Sequence, residues 1–363
     1  MDKYKIIIFL LSVFQLINCQ DMKKEKITPS YNVQLSHSDN KHSVGPVEDS
    51  IITLEGISAH LPYGHSSGSW GMSGKGFTDQ GGTPIGADVI YYADAENAFY
   101  HLKASFPKEK VEDWVQRAYA IDESKSSIPL KQFINRRDEP DFHQKYNEYQ
   151  IAYKRFSDLI FGFAPKGMVV VWFGYGPTQI ELGEYQAERI TNEADIKKYK
   201  EKYQRIYHVD PELFEELAKE YYLPDESPEK WKQYRARYNW YPKVTSANKG
   251  FKLFRIDTDY YNGERETMLR PWVENPAATE RSVPKEIDFY WETGKGEAFE
   301  GRAFFNWETA NEAFKKSGAQ QQQLEFKIAP DNNSFELLLN NTPFKADSLR
   351  VYKSVLKFKD SYK

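Results

Sequence analysis

FGFAPKGMVVVWFGYG, residues 161–176, decides how the rest of this chain is read. Met168 to Phe173 are six consecutive apolar residues, three of them valine, bracketed by Pro165-Lys166-Gly167 and Gly174-Tyr175-Gly176-Pro177. A short apolar run closed at both ends by turn residues is a strand buried on both faces. It is too short to cross a membrane and too β-branched to favour a helix. Such a strand needs packed layers above and below it, and the neighbouring segments must supply them.

Upstream, Phe142, Tyr146, Tyr149, Tyr153, Phe156 and Ile160 alternate spacings of four and three. This predicts an aromatic-striped helix over Asp141 to Ile160, laid across a sheet and leading into the central strand; a coiled-coil seam is the alternative. Downstream, Gln179 to Gln186 alternates well enough to pair back as a hairpin. Further upstream, Asp88–Tyr92 and Ala98–Leu102 fit two strands joined at Asp94–Asn97. A helix follows Pro107, with Val111, Trp114, Val115 and Ala118 on its apolar stripe. Ser50 to His60 reads as an opening strand.

Between them, LPYGHSSGSWGMSGKGFTDQGGTP carries seven glycines from Gly64 to Gly82. It lacks both phosphate-loop patterns, GxGxxG after a strand and a terminal GK[ST]. Loops on rigid scaffolds often carry recognition. His65, Trp70 and Phe77 are therefore the candidate partner-binding residues, with a long connecting loop as the alternative.

Residues from Asn192 to about Tyr241 read as a charged, helical middle. Asp210-Pro211 starts one helix, with Phe214, Leu217, Ala218 and Tyr221 on its buried face. The final third is strand-rich: FKLFRID and ERETMLRPW flank the turn Asn262-Gly263. Strands are expected at Glu286–Glu292, Glu297–Phe305, Gln323–Ile328, Ser334–Leu339 and Ser348–Phe358. A helix is expected near Thr309, where TANE fits a capping box. Asp257 and Asp259 do not make a calcium loop, because Met268 stands where a glutamate is needed.

Pro84, Asp88, Ala98 and Phe99 recur as Pro284, Asp288, Ala298 and Phe299, all at an offset of 200. Tyr91 matches Trp291 and Trp114 matches Phe314 at the same offset. Two related lobes follow from this. The fold class is α+β, with aromatic-rich, mostly antiparallel sheets and packed helices; 15% of the residues are aromatic, which suits half-buried sheet faces.

The N-terminus points to export. Lys3 and Lys5 precede the apolar run Ile6 to Phe14, the layout of a secretory signal. Cys19, the one cysteine of the chain, follows Leu16-Ile17-Asn18 and resembles the lipobox of bacterial lipoproteins, with Asn18 in place of the usual Gly or Ala. That resemblance implies cleavage before Cys19 and acylation of its thiol, with palmitate among the expected chains. Several acyl chains anchor firmly where one is reversible. The expected organisation is a signal peptide over 1–18, a mobile tether over 19–47, and lobes over 48–198 and 199–363.

No catalytic motif stands out. The seven histidines form no HExxH. His60, His65 and Asp79 are the best-placed trio and read more readily as surface polar groups. With a net charge of -4 and no basic block, nucleic acid is not an expected partner. No metal or cofactor is expected.

GFAPKGMVVVWFG with ELGEYQ, PIGADVIYYADAENAFY, YRARYNWYP ending at Pro242, YYNGERE and VPKEIDFYW together resemble a bacterial family of exported lipoproteins without assigned function, best represented in Bacteroidetes. The similarity runs from Gly56 to Trp291 and extends towards the end. It implies no catalytic residues. Broadly similar lipoproteins resemble immunity proteins, which protect a cell from toxins injected by neighbours. The expected function is thus a lipid-anchored envelope protein, on the outer membrane at its periplasmic or surface side, that binds or inhibits a protein such as a secreted toxin. An envelope hydrolase using an unidentified carboxylate or histidine site on glycan or lipid is one alternative. A structural envelope protein is another.

Overall fold

The computed structural model describes residues 28–64, 69–72, 75–117, 155–270 and 272–355. The expected signal peptide over 1–18, Cys19, His65 and most of the expected helix over 141–160 lie outside the described residues.

The apolar run is strand β7 (Met168–Tyr175), and all eight of its residues are buried. It pairs antiparallel with β6 (Asp158–Phe163) and β8 (Thr178–Gln186). Ile160, expected at the end of a helix, lies in β6. Leu159, Phe161 and Phe163 face one core while Ile160 faces another, so a period of two governs here.

The tether expected over 19–47 is corrected from residue 30 onward. Strand β1 (Ser30–His37) runs parallel to β6 and antiparallel to β3 (Lys75–Gly81). Tyr31, Val33 and Leu35 alternate into the core from a polar background, and averaged composition hides a strand with one buried face. The next strand, β2 (Val44–Thr53), begins six residues before the expected opening strand.

The expected twofold organisation is realised in the strand order. After β1 to β3 the first lobe continues with β4 (Pro84–Ala93), β5 (Ala98–Ser105), helix α1 (Lys108–Gln116), β6 to β8 and β9 (Glu188–Arg189). Its sheets are ordered β3-β1-β6-β7-β8 and β2-β4-β5-β9, and their inner faces share one apolar core. Three helices intervene: α2 (Glu193–Tyr207), α3 (Pro211–Glu220) and α4 (Glu229–Gln233).

The second lobe holds β10 (Arg237–Ser246), β11 (Lys252–Tyr260), β12 (Arg265–Leu269), β13 (Thr279–Ser282), β14 (Pro284–Glu292) and β15 (Ala298–Phe304). Helix α5 (Trp307–Ser317) follows, then β16 (Gln322–Ile328), β17 (Phe335–Leu339), β18 (Thr342–Pro343) and β19 (Ser348–Lys353). Its orders are β13-β10-β16-β17-β18 and β12-β11-β14-β15-β19, the same plan with β12 added. In each lobe the opening strand runs parallel to the strand after the helix, β1 with β6 and β10 with β16. Arg265 of β12 pairs with Gln179 of β8, which fuses one sheet from each lobe into ten strands.

The offset of 200 is right for β4, where Ala87, Val89 and Tyr91 occupy the core positions of Ile287, Phe289 and Trp291. It slips by one after the hairpin. Tyr91 faces Tyr100, whereas Trp291 faces Phe299, so Phe299 corresponds to Tyr100 and not to Phe99. In the helices Val111 and Val115 likewise correspond to Ala310 and Phe314.

Helices α2 and α3 cover the outer face of β2-β4-β5, where Val47, Ile90, Tyr92 and Phe99 meet Tyr203, Phe214 and Ala218. The expected lobe boundary at 198/199 therefore cuts through α2, and both helices belong with the first lobe. Asn192 and Asp210 cap them by accepting from the Asp195 and Leu213 N–H groups. The helical middle ends at Gln233 rather than Tyr241, because Tyr238, Trp240 and Val244 face one side of β10 towards the second core. The cap of α5 is Asn306, whose side chain accepts from Thr309 N–H at 3.0 Å, not Thr309 itself.

Candidate functional site

The glycine-rich segment divides between two tasks. Trp70 is half-buried, edge-on to Trp172 with ring centroids 5.0 Å apart, and 6.5 Å from Trp231 of α4. Gly71 (φ +74) lies against Gly263 (φ +85) of the β11–β12 hairpin, so backbones of the two lobes touch where neither has a side chain. Buried Gln179 Nε2 donates to both carbonyls, at 2.6 Å to Gly71 O and 2.7 Å to Gly263 O. Trp70 thus packs in the seam between lobes. Phe77 lies on β3 and is 46% exposed.

Beside the seam, Arg235 donates to Glu181 at 2.6 Å and also to Glu184, while Arg237 pairs with Glu264 at 2.8 Å. Burial works against both guanidinium charges. The carboxylates more than offset it and hold both arginines above their ordinary value. This network joins β8, the α4–β10 connection and the β11–β12 hairpin. His60 and Asp79 do not converge: the His60 ring sits 3.2 Å from Asp49, and Asp79 is exposed on β3.

Phe77 has company. Ile52, Ile57, Tyr63 and Met72 are also exposed, and all fall in residues 52–77. Strands β2 and β3 end their respective sheets and meet where Thr53 lies against Gly82; Ala59 bridges to Ile51 and closes part of the β2 edge, whereas no further described strand pairs with β3. This flank therefore combines the open backbone edge of β3 with apolar side chains.

A second feature lies at the opposite face of β4. A cavity of about 620 Å³ opens between α2, α3 and the β1–β2 loop. Tyr92, Tyr203 and Phe214 form its floor, with centroids 5.1 to 5.7 Å apart. Val209, Leu217 and Leu223 add apolar wall, and Asn40, Lys41 and Ser43 make the rim. Asp94, in the short 3-10 turn Asp94–Glu96 after β4, reaches this space at 8% exposure and accepts from the Ser43 hydroxyl. The Tyr92 and Tyr203 phenols are held well above their ordinary pKa, by burial first and then by the Asp94 charge. His42 secures the rim, its two ring nitrogens 2.6 Å from Asp39 and 2.9 Å from Glu226.

The sequence assigns Asp94 to a turn and Phe214, Leu217, Ala218 and Tyr221 to a buried helix face. The turn is right, and Phe214 and Ala218 are buried, but Leu217 is half-buried at the cavity wall and Tyr221 is exposed at its mouth. No local signal brings Asn40, Asp94 and Leu217 to one space, because they come from three separated segments.

Among the described residues no helix covers the outer face of β11-β14-β15, which is ionic instead. Asp257 and Asp288 are direct cross-strand neighbours, and Asp288 is opposite Arg302. Burial, then the Glu286 charge, pushes the Asp288 carboxyl up to about 7, and Arg302 only partly opposes this. The folded chain holds this proton where the unfolded chain releases it near pH 4. Stability should therefore fall as pH rises from about 4 to about 7 and level off above. Asp288→Asn is expected to flatten that slope and to stabilise by roughly 1–2 kcal/mol at pH 8, with little change at pH 4. Denaturant titrations at both pH values read this, and a variant that tracks the parent at both contradicts it. Among the described residues, no three His, Cys, Asp or Glu side chains converge as a metal site.

Residues 28–228 match a family described as a protein of unknown function, DUF2931. The match spans the first lobe together with α2 and α3. No curated protein and no solved structure matches the chain.

Proposed function

We propose a function from one premise: the chain belongs to the DUF2931 family of proteins of unknown function. It is an exported lipoprotein of Bacteroidetes type, acylated at Cys19, that binds a second protein through the open flank of its first lobe. An immunity role against a secreted toxin is the specific form proposed. The observation that carries the binding role is the concentration of exposed Ile52, Ile57, Tyr63, Met72 and Phe77 beside the edge strands β2 and β3. An added partner strand on β3 would gain main-chain hydrogen bonds, and Phe77 would supply an apolar anchor. Lys3, Lys5, the run Ile6–Phe14 and Cys19 support the anchor. Since β1 opens at Ser30, eleven residue-to-residue steps separate it from Cys19, a reach of at most about 40 Å, which keeps the flank near the membrane and raises its effective concentration there.

Cys19→Ser is expected to abolish incorporation of labelled palmitate and to release the protein from the membrane fraction; retained label overturns the anchor. For the flank, a photo-crosslinking residue at position 77 should yield one discrete adduct in envelopes, absent when the same residue replaces Tyr352. The purified adduct partner, such as the toxin of a neighbouring gene, should bind the parent chain and lose at least tenfold in affinity to Phe77→Asp at unchanged melting temperature. Equal adducts at both positions, or equal affinities, overturn the flank.

A further inference from the structure

We propose that the cavity beneath α2 and α3 binds a small organic amine with an apolar, ring-sized body, its ammonium group paired with Asp94. The site is separate from the protein-binding flank and goes beyond the function proposed above.

The volume, about 620 Å³, is that of a small-molecule site, and the walls have the usual balance of apolar surface with a few placed polar groups. The apolar part selects the body of the ligand: Leu217, Val209 and Leu223 face a floor of three mutually packed rings. Tyr221, at the mouth, is 50% exposed and could close over a bound ring. The polar part selects its charge. Asp94 and Glu220 contribute two carboxylates against the one ammonium of Lys41, so the lining carries an excess of negative charge. Asp94 is the buried member, and a shielded carboxylate gains from a cation brought within reach. The aromatic floor adds in the same sense, because ring faces attract cations. The phenols of Tyr92 and Tyr203 stay neutral, so they offer hydroxyl groups without adding charge that would compete with Asp94.

The cavity also stands ready without rearrangement. Leu223 N–H donates to Ala95 O at 2.8 Å, which fixes the end of α3 to the turn that carries Asp94. His42, lodged between Asp39 and Glu226, fixes the opposite rim. A preformed site spends less of its binding energy on ordering.

Three probes of one shape separate the contributions: 2-phenylethylamine, 2-phenylethanol and phenylacetate, each titrated by calorimetry and by NMR into the purified full chain. The amine should bind saturably, the alcohol at least tenfold more weakly, and the carboxylate more weakly still. Asp94→Asn should bring the amine down to the level of the alcohol. Leu217→Trp, which fills the cavity from α3, should abolish binding of all three while circular dichroism stays native. Absence of saturable amine binding overturns the proposal, as does amine binding that survives Leu217→Trp. If Asp94→Asn does not fold, the order of the three probes on the parent chain decides: equal affinity of amine and alcohol overturns the role of Asp94.

Discussion

Val170→Asp is expected to abolish cooperative folding of the first lobe. Val170 is the third residue of β7, fully buried, with Ile160, Met168, Trp172 and Trp231 in its cluster. Strands β6 and β8 occupy both edges of β7, so its backbone is committed to the sheet and cannot turn the side chain away. A carboxylate there would have neither water nor a cation. Removing a charge to such a place costs several kcal/mol even after the group takes up a proton, against a total stability of about 5–15 kcal/mol for an ordinary protein. Val170→Thr, nearly the same shape, separates polarity from volume and should cost about 1–3 kcal/mol. Denaturant midpoints followed by tryptophan fluorescence report both, since Trp172 and Trp231 lie in the cluster. An Asp variant within 1 kcal/mol of the parent would refute the packing described.

Gly71→Ala is expected to loosen the junction between lobes at a cost of roughly 2–4 kcal/mol. The residue sits at φ +74, and an added methyl carbon would lie 2.8 Å from the Gly263 carbonyl carbon, with other Gly263 atoms closer still. Backbone on the facing side cannot swing away as a long side chain would. Gly263 is itself confined, because a methyl on it would stand 2.9 Å from Trp172. Moving the two chains apart also breaks the paired donations from Gln179 and leaves buried carbonyls unsatisfied. Two readouts distinguish this from general destabilisation. The near-ultraviolet signal from Trp70 and Trp172 should fall, and proteolysis should reach the residues around 71 and 263 before either lobe core. Gln179→Leu, which removes the donor but adds no bulk, should show the same pattern more weakly. Unchanged proteolysis in both variants would place the junction elsewhere.

Much of the fold was legible in local pattern. Met168–Phe173 could be read because a run of uniform apolarity leaves a buried strand as its one comfortable solution at that length. Strands β4, β5, β11 and β14 to β17 were readable from alternation and from turn residues such as Asn262-Gly263. β1 was missed because three alternating apolar residues in a polar stretch look like a tether until another strand is known to lie beside them. β10 was missed because its tyrosines and tryptophan continue the aromatic composition of the helices before it. The repeat between lobes was visible on β4 and β14, then misaligned by one residue, since identity at Phe99 and Phe299 conceals that one faces outward and the other inward.

Of the candidate site, the sequence pointed to a glycine-rich segment with aromatics but could not assign each side chain a surface. Trp70 turns into the seam because Trp172 and Trp231 offer apolar faces there. Phe77 stays half-exposed because β3 is an edge. By itself the sequence determined the central strand and the class of fold and carried a trace of two related halves, all of which depend on composition and spacing over short stretches. Only the tertiary structure decided that the helices cover the first lobe, that a sheet runs continuously from lobe to lobe, and that Ser43, Asp94 and Leu217 border one cavity. Those facts depend on which distant segments meet, and a pattern of neighbouring residues carries no record of partners dozens or hundreds of positions away.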